Sequence, residues 1–183
     1  MSDLIALWLP ILLAGVAGFI ASSIAWTVMP HHKPDWNKFD GEDEVMDVIR
    51  SKNIKPGQYM FPYCEPADFK DEAVKKRYFD GPNGIITVWP GPGKMGRNMG
   101  LTLLFFLVAS VFIGYVTMLG TDDTSTYLDV FQISGAAAML AYCFAFIPNA
   151  IWFGKPARAI VMDIIDGIAY ALLTAGIFGW LAV

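Results

Sequence analysis

The chain has 183 residues, 55% of them apolar and 16% charged, with a net charge of −4 and a mean hydropathy of +0.46. A soluble domain carries about 25% charged residues, and the shortfall, together with two cysteines and an acidic balance, excludes a disordered chain, a disulfide scaffold and a basic nucleic-acid binder. All 13 Lys and Arg fall within 33–97 and 155–158, a pattern that predicts an all-α membrane protein. It should have four transmembrane helices and a small irregular, partly helical segment between the first and second.

The first apolar run covers residues 4–29. A cleaved signal peptide would open on a basic region and carry an apolar core of about 7–15 residues. This run is longer and follows Met-Ser-Asp, so it reads as a retained helix with Pro10 in its outer turns. The other runs are 99–119, 130–153 and 159–183. Each approaches or exceeds the roughly 20 residues that cross about 30 Å of hydrocarbon. Trp8, Trp26, Tyr127, Trp152 and Trp180 lie near run ends, as an aromatic belt would. Small residues repeat every fourth position in three runs: Ala14, Gly18 and Ser22; Ala137, Ala141 and Ala145; and Gly167, Ala171, Ala175 and Gly179. In lipid such ladders permit close helix approach, which predicts internal packing, with homo-oligomer faces as the other use.

Residues 30–98 hold eleven acidic and eleven basic residues and most of the chain's eleven prolines. Two short helices are expected, near 41–51 with Asp40 as cap and near 68–79. Residues 55–64 read as extended and 85–89 as a strand, followed by the turn Trp89-Pro90-Gly91-Pro92-Gly93. The wealth of aromatic residues predicts a segment that packs on the membrane face or lies among headgroups.

Charge sets the expected orientation. Eleven basic residues lie between the first two runs and the other two, Lys155 and Arg158, between the last two; the 120–129 loop holds Asp122, Asp123 and Asp129 and no basic residue. The positive-inside rule then puts 30–98 in the cytoplasm and both termini outside. His31, His32, Lys94, Arg97, Lys155 and Arg158 are expected at the interface, with Lys94 and Arg97 touching lipid phosphate.

The strings Met29-Pro30-His31-His32-Lys33-Pro34-Asp35-Trp36, Glu42-Asp43-Glu44-Val45-Met46 and Pro56-Gly57-Gln58-Tyr59-Met60-Phe61-Pro62, with the run from Asp166 to Trp180, resemble a widespread bacterial family of four-span inner-membrane proteins. The resemblance implies the architecture and a proteobacterial-type inner membrane, and nothing about chemistry.

Asp163 and Asp166 sit one turn apart on one face of the last run. Carboxylates inside a membrane are costly and turn toward protein or water. They are candidates for a proton or cation site, or for pairs with Lys155, Arg158 or a base from 30–98. Asn149 and Gln132 are further intramembrane polar candidates. At least one aspartate is expected to accept hydrogen bonds from 30–98, from His31, His32, Tyr59, Lys94, Arg97 or the backbone there. His31, His32 and Asp35 with Cys64 suggest zinc or copper ligands by chemistry, but the spacing matches no strong motif. No metal or other cofactor is therefore expected, a metal at His31, His32 and Cys64 being the weaker option. Cys64 and Cys143 fall where no disulfide is expected, and no catalytic fingerprint is present.

Three functions follow as expectations. The first is a non-enzymatic accessory, assembly or scaffold subunit of a larger membrane complex or homo-oligomer, whose partners are lipids, other membrane subunits or itself, and no nucleic acid. The second is a small oligomeric proton- or cation-linked transporter or channel using Asp163 and Asp166. The third is a membrane metal protein or enzyme using His31, His32 and Cys64.

Overall fold

The computed structural model describes residues 4–182; the N-terminal Met-Ser-Asp and Val183, which the sequence reading used at the two ends, lie outside them. The chain is 71% helical, with four helices long and apolar enough to cross a membrane. It divides into two units, residues 1–37 with 94–183, and residues 38–93.

The first unit is a bundle. Helix α1 (Trp8–Thr27) is entered through a 3-10 turn at Leu4–Leu7 and followed by a 3-10 segment, Pro30–Asp35. In the second unit, α2 (Glu42–Ser51) precedes strand β1 (Gly57–Phe61), and α3 (Glu72–Asp80) precedes β2 (Gly84–Val88). The strands pair antiparallel, Gly57 opposite Val88 and Phe61 opposite Gly84. The stretches read as extended and as a strand thus form one two-stranded ladder. Asp40 does not cap α2. Gly41 takes that position at φ +87°, a left-handed conformation that glycine adopts without a Cβ penalty. The expected 68–79 helix is split: a 3-10 turn at Asp68–Lys70 comes first, and Asp71 then caps α3 by accepting from the Ala73 amide.

The bundle resumes with α4 (Met95–Gly120), which starts four residues before the apolar run because its first turn is polar. The third apolar run is not one α-helix. It comprises α5 (Tyr127–Met139), a π turn at Leu140–Phe144 and the short α6 (Ile147–Trp152). Thr126 and Asp129 form a capping box at its start. After a turn at Gly154 (φ +67°), α7 (Ala157–Leu181) completes the bundle.

Packing runs α1 against α4 and α7, and α5 against α4 and α7. Small residues set the approach. A Cβ on Gly18 would fall 2.7 Å from the Phe106 ring; one on Gly167, 2.6 Å from the Tyr142 carbonyl oxygen; one on Gly179, 2.9 Å from the Tyr127 ring. Ala171 and Ala175 are buried, so the α7 ladder is used inside the bundle. The α5 stripe is displaced by one residue from the expected one. Val130, Ser134, Ala138 and Tyr142 are buried, whereas Ala137 and Ala141 are half-buried and Ala145 is exposed. Side-chain volume alone could not fix the rotation of that helix, since Ala136, Ala137 and Ala138 are consecutive.

Candidate functional site

The site lies where the first 3-10 segment meets α7. Asp166 is nine residues into α7, about 14 Å along its axis at 1.5 Å per residue. Pro30 and Pro34 favour the tight turn after α1, which lacks a regular helix's hydrogen-bond demand. That turn folds back against α1 and α7 and sets two consecutive imidazoles over one carboxylate. His31 Nε2–H donates to Asp166 Oδ1 at 3.0 Å and His32 Nε2–H to Asp166 Oδ2 at 3.0 Å. Tyr170 OH, one turn further along α7, donates to Oδ2 at 3.3 Å.

His32 is held on every side. Its other nitrogen donates to Asp35 Oδ2 at 2.7 Å, and its ring stacks on Trp26 at a centroid distance of 3.8 Å and an interplanar angle of 8°. Arg158 donates both to Asp35 and, at 2.7 Å, to the His31 carbonyl oxygen, which ties the start of α7 to the turn. Both nitrogens of His32 thus face carboxylates, which favours a positive charge on the ring. Burial disfavours that charge, but the hydrogen bonds to Asp35 and then to Asp166 outweigh it and raise the pKa above the ordinary 6.5. Asp35 is lowered below 3.8, first by its hydrogen bond to His32, with Arg158 adding to the effect. Asp166 and His32, 8% and 4% exposed, share one buried site, where their mutual hydrogen bond offsets the cost of burial. His31 Nδ1 is buried without a partner among the described residues.

Asp166 also forms part of the wall of a cavity of about 440 Å³. Ser22 and Trp26 contribute from α1, Thr102, Phe105 and Phe106 from α4, and Asp163 and Tyr170 from α7. The rest of the wall is the third run around its π turn, Ala141, Tyr142, Ala145 and Phe146. Such one-turn departures from the α-helix recur at functional sites. Here the π turn carries Tyr142 to the cavity and packs its carbonyl on Gly167, the neighbour of Asp166. Tyr142 OH, Ser110 Oγ and Thr174 Oγ1 are buried polar atoms of the core without hydrogen-bond partners among the described residues.

The two groups read from the sequence are thus repartitioned. His31 and His32 join Asp166, and Asp35 stands behind His32. Asp163 is paired with Lys155 and lines the cavity without reaching the imidazoles. Cys64 belongs to the second unit, and the metal-competent group contains the two histidines and Asp166. Gln132 and Asn149 are exposed and contribute nothing to the site. Lys94 and Arg97 are exposed at the start of α4. Trp26 is more than a belt residue, because its face is committed to His32. Cys143 is buried in the π turn, where a Cβ on Gly167 would fall 2.8 Å from its sulfur. Sequence reasoning missed the roles of Trp26 and Tyr170. The i−4 spacing of Asp166 from Tyr170, one helical turn, was the available signal for the second.

No protein-family model, curated protein or solved structure matches the chain. The family resemblance read from the sequence therefore carries no functional argument, and the site has to be read from its own chemistry.

Proposed function

We propose that the protein is a multi-pass membrane protein that handles a cation, a small proton- or cation-linked transporter or channel whose working group is Asp166. The observation that carries this reading is a buried carboxylate that two imidazoles share at the wall of a cavity lined by all four long helices. An intramembrane carboxylate is expensive and marks an ion or proton path by default. Asp166 differs from an ordinary interhelical hydrogen-bonder in having cavity on one side and titratable donors on the other. The accessory-subunit reading has weaker support, because the small-residue ladder on α7 is spent on internal contacts.

The proposed setting is a bacterial inner membrane with both termini periplasmic and residues 30–98 cytoplasmic. The basis is the confinement of every Lys and Arg to 33–97 and 155–158. The Asp166 site would then lie toward the cytoplasmic end of the bundle, beside Arg158 and the turn after α1.

Flux through proteoliposomes tests the reading. The purified chain should move protons or a divalent cation down an imposed gradient, Asp166→Asn should abolish that flux, and Asp163→Asn should retain most of it. Equal leak for wild type and Asp166→Asn would refute it.

A further inference from the structure

We infer that His31 Nε2, His32 Nε2 and an Asp166 carboxylate oxygen form a binding site for one divalent transition-metal ion of the zinc class. Asp35 and Arg158 act as positioning residues behind it. The inference names a chemical class for the cation of the preceding reading. It rests on that reading for the ion's use and not for its binding.

Geometry comes first. One ligand atom from each of the three residues lies within 4.8 Å of the others, with His31 Nε2 3.0 Å from Asp166 Oδ1 and His32 Nε2 3.0 Å from Asp166 Oδ2. Donors bound to one ion at about 2.0–2.2 Å sit roughly 3–3.5 Å apart, so whichever Asp166 oxygen binds already has one imidazole nitrogen in range, and the other donor closes in from within 4.8 Å. The donor set comes next. Two imidazoles and one carboxylate suit zinc, iron, nickel or copper, whereas calcium and magnesium seek oxygen shells.

The surroundings add an independent argument. A metal-binding histidine commonly donates its second N–H to a carboxylate, which fixes its tautomer and aims the other nitrogen. His32 has this arrangement, with Nδ1 on Asp35 at 2.7 Å and Asp35 gripped by Arg158. The Trp26 stack removes the ring's remaining freedom. A hydrogen-bonded anchor between a turn and a helix has no need of a ring fixed on three sides. Three protein donors leave at least one position of a four-coordinate ion open, as in sites that bind water or a substrate. Asp166 faces a cavity with room for either.

The test uses the full chain in detergent, stripped of metal and titrated with Zn²⁺ by calorimetry and with Co²⁺ by visible absorption. One ion per chain is expected, with intense four-coordinate Co²⁺ bands and no competition from equimolar Mg²⁺. His32→Gln and Asp166→Asn should weaken Zn²⁺ binding by about 100-fold, and Asp35→Asn by about 10-fold. Asp163→Asn and Cys64→Ser should bind as wild type. Asp35→Asn keeps a hydrogen-bond acceptor for His32. It tests positioning even if His32→Gln does not fold, and a shift of its Co²⁺ band maxima is a readout that a merely structural role would not give. Absence of binding in the wild type, or wild-type binding by Asp166→Asn, overturns the inference. Proton flux lost in Asp166→Asn without any metal binding overturns it while leaving the transport reading. Stoichiometric binding without flux does the reverse.

Discussion

Gly167→Ala, set against Gly176→Ala on the same helix, isolates the cost of closing the gap between α7 and the π turn. A Cβ at Gly167 would meet the Tyr142 carbonyl oxygen at 2.6 Å and the Cys143 sulfur at 2.8 Å. Ordinary contact begins near 3.5 Å, so α7 and the turn must part by nearly 1 Å, and a backbone carbonyl cannot swing aside as a side chain would. Overpacking of this kind costs about 1–3 kcal/mol. A Cβ at Gly176 meets nothing within 4 Å. Both variants gain the roughly 0.5–1 kcal/mol by which alanine exceeds glycine inside a helix. That gain cancels in the comparison, and the difference between them is the overpacking cost alone. Unfolding in mixed micelles, followed by circular dichroism as denaturing detergent is added, should rank Gly176→Ala at or above wild type and Gly167→Ala below it. Gly167→Ala as stable as Gly176→Ala would refute the close approach of α7 to Tyr142.

Further outcomes follow from the same contacts. The raised pKa of His32 adds stability that is complete below 6.5 and lost as pH rises through its folded value. The lowered pKa of Asp35 adds stability that is complete above 3.8 and lost as pH falls through its own. The metal-free protein should therefore unfold latest between those values, and His32→Gln should remove the alkaline decline, as melting curves across pH would reveal. Asp163→Asn breaks only its partly exposed pair with Lys155 and should shift stability by less than about 1 kcal/mol. Ala175→Leu, at a position with no exposure opposite Gly135, should lower the unfolding midpoint more than Ala169→Leu on the exposed face. For orientation, Asp123→Cys should react with an impermeant thiol reagent added outside intact cells, and Lys76→Cys only after lysis. Labelling is read in a Cys64→Ser, Cys143→Ser background, and the reverse pattern would invert the charge argument.

Hydropathy made the four long helices legible, because a run of some 20 apolar residues has few other uses. The α7 ladder was legible for a similar reason, since a four-residue repeat of Gly and Ala defines a face whatever lies opposite. That a buried aspartate would draw hydrogen-bond donors from 30–98 followed from cost, with His31 and His32 among five candidate side chains. The grouping of the site did not follow. Asp166 and the imidazoles are 134 and 135 residues apart, and only the rotation of α7 decides that Asp166 rather than Asp163 meets them. Cys64 seemed to belong with the histidines through shared ligand chemistry, which carries no distance. The π turn was hidden because Leu140–Phe144 is as apolar as any α-helical turn around it. Capping of α2 went to Gly41 because the backbone there is left-handed, a property that the side-chain preference for aspartate does not report.

The π turn also makes the third crossing tolerant of one kind of length change. A turn closed i to i+5 uses one residue more than an α turn, so Leu140–Phe144 holds a single surplus residue directly after α5 and before the turn at Ala145 and Phe146. Removing one residue there would convert the bulge to regular helix and leave the face of α5 in its present phase against α4 and α7. Removing one elsewhere in α5 would turn all that follows by about 100° and bring outward-facing side chains into the core. A shorter version of this crossing would keep the bundle and lose the carbonyl that rests on Gly167, along with the placement of Tyr142 at the cavity. The surplus residue thus separates two properties that most helices bind together: how the bundle holds and what its cavity presents.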